Sequence, residues 1–290
     1  MLTQYLIRPL HSIAEFHDCE ALQHRVWRME DDLEVVPMHM LLTVANQGGV
    51  LLGAFDGEEL VGFVFGFPGL TPDGQLKHCS HMLGVHPDYQ SSGIGRQLKV
   101  AQRAAVLEQG LDLVTWTYDP LESRNAHLNI GKLGAVCQTY VEDLYGPLDD
   151  GLNTGLPTDR LQVDWWLATD WVEQRLGGAK EMPESGPFVE AIRAEWNAGS
   201  YPAPGDLHLG PTNARAITIE VPSDYQAIKA ADAALALEWR LAAREVFQAY
   251  FDQGYVVADF TSFKEGGRRR SFYTFRRTSP VAQAAPDASG

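Results

Sequence analysis

Gln90-Ser91-Ser92-Gly93-Ile94-Gly95 is a stretch whose residue types and spacing suit anion binding. It comes after an apolar run, His81-Met82-Leu83-Gly84-Val85-His86-Pro87, that ends at a proline. It precedes residues 96–107, where apolar side chains recur at helical spacing. Strand, glycine turn and helix start, in that order, aim backbone N–H groups and the positive end of a helix dipole at one point. Glycine lets the chain approach a phosphate oxygen with no Cβ in the way. The chemistry predicted is a grip on a phosphorylated ligand.

The elements that must hold this turn are legible on both sides. Residues 5–9 read as a strand. Residues 12–27 read as an amphipathic helix opened by a capping box of Ser12 and Glu15. Residues 37–46 read as a second helix with Pro37 in its first turn. Residues 49–55 and 60–67 form a predicted hairpin around Asp56-Gly57. Next come a strand at 79–85, a helix at 93–109 ended by Gly110, a strand at 111–118 and a short helix at 124–133 closed by Gly134. Two strands, 136–145 and 161–167, flank a polar loop at 146–160. This order predicts an α/β class with a mixed sheet, and a ligand where the strand order splits.

After Trp171 the texture changes. A connector punctuated by Gly177-Gly178, Pro183, Gly186-Pro187 and residues 200–205 leads to a strand at 216–221. One long helix is predicted at 225–253, then a hairpin of 255–263 and 271–275. Arg268-Arg269-Arg270 is expected to be a solvated turn. Asp224, Glu238, Arg244 and Glu245 are expected to pair along the helix surface. The predicted organisation is a first domain at 1–168, a C-terminal α/β extension at 169–278 and a disordered Ala/Pro/Ser-rich tail at 279–290. Val221-Pro222-Ser223-Asp224-Tyr225-Gln226 echoes Val85-His86-Pro87-Asp88-Tyr89-Gln90. That makes the extension either a degenerate half-repeat without the glycines or a chance likeness.

Composition narrows the function classes. With 290 residues and 45% hydrophobic content, the chain can bury a substantial core. A net charge of −15 argues against nucleic acid as a partner. Cys19, Cys79 and Cys137 lie far apart, without metal-ligand spacing, so neither a disulfide framework nor a metal site is expected. No apolar run approaches the ~20 residues of a membrane span, and the first residues lack the pattern of a signal peptide. A cytoplasmic protein without membrane partners is expected.

Taken together, Gln90, Gly93 and Gly95 resemble the Gln/Arg-x-x-Gly-x-Gly/Ala signature of the GNAT superfamily of acyl-CoA-dependent N-acyltransferases. Leu83-Gly84-Val85-His86-Pro87 is similar to that family's fourth strand, which ends in Val-x-Pro. Lys132-Leu133-Gly134 is similar to its Lys-Leu-Gly before the sixth strand. The resemblance covers residues 4 to about 168. Residues 119–127 look like a large branch of the family, some of whose members acylate amino acids with succinyl-CoA.

The resemblance implies a CoA site of Leu83, Gly84 and Val85 on the strand and Gln90, Ser91, Ser92, Gly93, Ile94, Gly95 and Arg96 in the turn, with Asn125 meeting the cofactor arm. The donor is acetyl-CoA or another acyl-CoA such as succinyl-CoA, with no metal. The acceptor is the amine of a small molecule or amino acid, and a homodimer is a candidate assembly. Where many members carry the tyrosine that protonates the departing thiolate, this chain has Ile130, so Tyr140 and Tyr145 are replacement candidates. His81 stands roughly where many members carry a glutamate base, and an imidazole titrates near neutrality. His127 is a second candidate base. Arg124 is a candidate for carboxylate recognition through two parallel hydrogen bonds, against a plainer salt bridge to Glu122. Trp27 and Trp116 are candidate walls of the acceptor site, or core. Glu30 and Asp31 are candidate amine binders. A non-catalytic acyl-CoA binder and a nucleotide binder are the competing readings. The second is the weaker, because no Gly-x-Gly-x-x-Gly pattern is present.

Overall fold

The computed structural model describes residues 5–29, 34–146, 155–179, 188–196 and 201–281. Packing divides the chain into two compact units, and the division falls between Trp116 and Thr117.

The first unit begins with β1 (Leu6–Pro9) and α1 (Ile13–Trp27). Ser12 caps α1 through the backbone N–H of Glu15, and the Glu15 carboxylate returns to the Ser12 N–H, completing the predicted box. Arg8 pairs with Glu15 at 2.8 Å, and that hydrogen bond, foremost, holds the Glu15 pKa down at about 2. Pro37 proves to be the N-cap of α2 (Met38–Asn46). β2 (Val50–Asp56) and β3 (Glu59–Leu70) form the predicted hairpin, with Gly57 at φ 62°. β4 (Leu76–Val85) pairs antiparallel with β3, α3 (Ile94–Glu108) comes after the turn, and β5 (Leu113–Tyr118) supplies residues 113–116 to this unit. The strand order is β1-β2-β3-β4-β5.

Successive strand residues face opposite sides of a sheet, and β3 shows what lies on each. A Cβ built on Gly62 would stand 2.9 Å from Ile94 of α3. The next ring, Phe63, packs edge-on against Trp27 of α1 at 6.0 Å. Helices α1 and α3 therefore cover opposite faces of the sheet. The core on the α1 face is built from Phe16, Cys19, Leu22, Leu41, Phe55, Phe63 and Phe65.

The second unit contains α4 (Ser123–Ala126), which runs directly into a π-helical turn, His127–Lys132. Gly134, at φ 74°, closes it as predicted. Then come β6 (Val136–Val141), β7 (Arg160–Trp166), α5 (Asp170–Leu176), β8 (Phe188–Ile192), β9 (Ala194–Glu195), β10 (Ala203–Pro204), β11 (Ala216–Val221), α6 (Tyr225–Ala231), α7 (Ala233–Asp252), β12 (Val256–Glu265) and β13 (Arg268–Arg276). Its main sheet runs β7-β6-β12-β13-β11-β8, and β9 pairs with β10. Trp165, Trp239, Phe247, Tyr273 and Phe275 fill its core.

Three expectations change here. The predicted long helix is two helices, because Asp232 takes an extended backbone conformation and its side chain caps α7 through the N–H of Leu235. The basic run is not a solvated turn: it opens β13, and buried Arg270 donates to Glu220 and Glu265, with the turn made by Gly266 and Gly267. Asp224 caps α6 through the N–H of Ala227, and Arg244 reaches Asp159 at 2.7 Å and Glu142 at 3.0 Å rather than a neighbour on its own helix. The two echoing segments end strands that are paired alike, each between one antiparallel and one parallel neighbour: β4 also lies antiparallel to β3. β4 runs parallel to β5, and β11 likewise pairs antiparallel with β13 and parallel with β8. Of the predicted loops and tail, residues 147–154, 180–187, 197–200 and 282–290 lie outside the described residues. Among the described residues no helix is long and apolar enough to cross a membrane.

Candidate active site

Strand β4 and helix α3 are joined by a one-turn 3-10 helix, Pro87–Tyr89, and by Gln90–Gly93. Ser91 sits at φ 65° and Gly93 at φ 91°, so the chain twice enters the left-handed region before the helix begins. The first bond of α3 runs from the N–H of Gln97 to the carbonyl of Gly93 at 3.1 Å, and no side chain caps this end. The amides of the first turn therefore point out of the helix end, with the dipole behind them. The turn is braced from both sides. Ser92 Oγ donates to the Tyr89 carbonyl at 2.6 Å, the Tyr89 hydroxyl donates to Asp56 on β2 at 3.2 Å, and Ile94 is wholly buried.

A Cβ at Gly93 would meet nothing within 4 Å, so glycine is required there for its φ rather than for space. Gly93→Val is expected to weaken binding of a phosphorylated ligand at this turn roughly tenfold or more, since a left-handed L-residue costs about 1–2 kcal/mol. Titration calorimetry checks this, and an unchanged Kd would remove the turn from the binding site.

β4 is bulged. Gly66 of β3 faces Ser80 and Phe65 faces Met82, leaving His81 as the extra residue. The His81 ring meets Phe65 at 6.1 Å and Phe67 at 6.0 Å while part of it stays exposed. This burial lowers the His81 pKa below the ordinary imidazole value, so the ring is neutral at pH 7 and can accept a proton. β4 and β5 pair in parallel only at His78–Val114 and Cys79–Thr115 among the described residues, and fork beyond that point. Leu83 and Val85 lie on the forked stretch, half-buried. A Cβ on Gly84 would stand 2.7 Å from Phe63 and 3.2 Å from Trp27, so glycine there lets both rings close on the strand. Trp116, the first β5 residue past the fork, has the Lys99 ammonium 3.6 Å above its ring.

The first unit thus gathers His81, Leu83, Gly84, Val85, residues 90–96, Trp27 and Trp116 around the β4–α3 corner and the fork. The other predicted residues belong to the second unit. Arg124, Asn125 and His127 lie exposed on α4 and the turn that continues it. Partial burial lowers the His127 pKa, assisted by Lys132 and Arg269 and opposed by Asp259. Ile130 is wholly buried. The Tyr140 hydroxyl donates to Asp159 at 2.7 Å, and burial, with Asp159 beside it, raises its pKa far above the usual phenol value. Tyr145 is exposed, with its hydroxyl 3.4 Å from Thr117. Glu122 accepts from Gln226, and burial together with Asp119 raises its pKa. Glu30 and Asp31 lie outside the described residues.

Two residues of this region escaped the sequence reading. In the sequence Lys99 and Gln102 are simply parts of a helix, yet both are buried against β4. The available signal was their i, i+3, i+7 spacing with Val106, a stripe that faces inward on an amphipathic helix.

The model of the acetyltransferase (GNAT) family matches residues 11–128. No curated protein matches the chain. Similar solved structures include an N-acetyltransferase from Staphylococcus aureus Mu50, 12% identical, covering 57% of this chain and 99% of that one with a TM-score of 0.47. Arabidopsis thaliana NAA60, solved with a bisubstrate analogue, is 17% identical over 56% of this chain and 99% of its own, with a TM-score of 0.44. The ribosomal-protein-S18-alanine N-acetyltransferase of Escherichia coli is 13% identical over 56% and 92%, with a TM-score of 0.42. The match to the acetyltransferase (GNAT) family model spans the segment that carries the bulged strand, the glycine turn and helix α3.

Proposed function

We propose that the chain is an N-acyltransferase that moves an acetyl or succinyl group from acyl-CoA to the amine of a small molecule, amino acids being candidate acceptors. The observation that carries this reading is the uncapped start of α3 behind a doubly left-handed turn, at the end of a strand that has forked from its neighbour. The residues present fit a diphosphate: several amides converge on it, no acidic side chain occupies residues 90–96, and the turn is already shaped.

The thioester supplies an activated acyl carbonyl when bound. The chain's own residues do the rest. The amides of residues 91–96 hold the diphosphate. The backbone of Leu83–Val85, past the fork, orients the pantetheine arm. His81, neutral at pH 7, takes the proton of the incoming amine. Residues 1–168 are proposed as the acyl-CoA-binding catalytic part and residues 169–278 as an extension to it.

A second reading, a binder of acyl-CoA without turnover, draws on one observation: Ile130 is buried where many family members offer a phenol. A thiol-release assay with acetyl- and succinyl-CoA against a panel of amines and amino acids separates the two. Amine-dependent thiol release is the expected result. CoA binding with no release across the panel would overturn the enzymatic reading and favour the second.

A further inference from the structure

A buried lysine, Lys99, lies at the fork between β4 and β5. The last paired residues are Cys79 and Thr115, and the next on each strand are Ser80 and Trp116. Beyond this point the two strands share no ladder bonds among the described residues. Lys99 of α3 spans the gap. Its Nζ donates to Ser80 Oγ at 3.0 Å and stands 3.6 Å above the Trp116 ring. A third contact, to Gln102 Oε1 at 2.8 Å, fixes the ammonium on its own helix. Ser80 Oγ in turn donates to Gln102 Oε1 at 3.0 Å, and Gln102 Nε2 lies 3.2 Å from His78 Nε2. Every member of this chain is buried or half-buried, and Lys99 is only 2% exposed.

A charge-bearing side chain in that position is costly, and burial alone pushes its pKa well below the ordinary lysine value. A leucine or methionine would fill the same space without that cost. What the lysine adds is direction: donors to one strand and an amine over an aromatic ring of the other. Ser80 is also the residue before the extra residue of the bulge, so the same hydroxyl anchors the strand where His81 is displaced.

We propose that Lys99 is a positioning residue that sets the width of the β4–β5 fork, and so fixes the strand edge that receives the pantetheine arm of acyl-CoA. The inference rests on the acyl-CoA reading above. Lys99 does not touch the reacting atoms. It acts through Ser80 and Trp116.

The test compares Lys99→Met with the wild-type chain against two probes: CoA, and ADP, which carries a diphosphate but no pantetheine arm. Lys99→Met is expected to weaken CoA binding about tenfold or more while changing ADP binding by less than about twofold. Ser80→Ala, a smaller change in the same network, is expected to act in the same direction and covers the case in which Lys99→Met does not fold. Amide exchange of residues 81–85 should accelerate in either variant. Equal losses for both probes, or unchanged CoA binding in a folded variant, would overturn the inference by reducing Lys99 to a general packing role. A wild-type chain that binds neither probe overturns the acyl-CoA reading itself, and the inference falls with it.

Discussion

His81→Gln is expected to lower kcat by about 10²–10⁴-fold, the usual contribution of a positioned general base, with CoA affinity unchanged. The prediction rests on the acyltransferase reading and on the placement of His81 as the extra residue of the bulge. Glutamine keeps the size and a polar end but cannot take a proton. The pH profile gives the sharper readout. Burial between Phe65 and Phe67 lowers the imidazole pKa, so the neutral, proton-accepting form persists to a pH below the ordinary value near 6.5. Wild-type kcat should therefore hold through neutrality and fall only as the pH drops through that lowered pKa. In His81→Gln this acidic limb should vanish. A limb that survives in the variant, or near-wild-type turnover at pH 7, would place the base elsewhere, with His127 the next residue to substitute.

The largest expected stability effect lies in the second unit. Asp119→Ala should cost about 3–5 kcal/mol, because it leaves a buried guanidinium without its counter-charge. Arg240 is 1% exposed and donates to both oxygens of Asp119, the Nη1 bond at 2.8 Å. Asp119 Oδ1 also accepts from the N–H of Leu121 at 2.8 Å. Burial opposes the charge on Arg240, and the attraction of Asp119 outweighs it, so the arginine pKa is raised. Removing both charges together removes the unpaired ion, so Asp119→Leu with Arg240→Met should cost less than Asp119→Ala alone. Urea unfolding of the wild-type chain and both variants measures these costs. A loss within about 1 kcal/mol for Asp119→Ala would mean that water or a rearranged neighbour satisfies Arg240.

Local signals in the sequence were reliable where the structure is local. The capping box of Ser12 and Glu15, the Asp56-Gly57 hairpin and the glycine that closes the turn after Lys132 each depend on residues within a few positions, and each appears as read. The strand–turn–helix order around Gly93 belongs to the same class, since its strand, glycines and helix are contiguous. The features that escaped reading depend on partners far along the chain. Arg270 looked solvated because its partner Glu220 lies on another strand. Tyr140 looked available as an acid, and only the fold brings Asp159 to its hydroxyl. Lys99 looked like an ordinary helix residue because periodicity shows which face a side chain takes and not what waits there. The break at Asp232 was hidden for a different reason. The Ala/Leu-rich composition on either side favours continuous helix, and a single aspartate capping its own N-terminal turn outweighed it.

The bond from the Tyr89 hydroxyl to Asp56 gives the anion-facing turn a fixed point on the β2–β3 hairpin. A segment tethered in this way spends little conformational entropy when a ligand arrives, because its shape exists beforehand. Affinity at the turn is then governed by how well the amides match the anion, and not by the work of ordering a loop. By the same route, the hairpin tip becomes a place from which that match can be tuned.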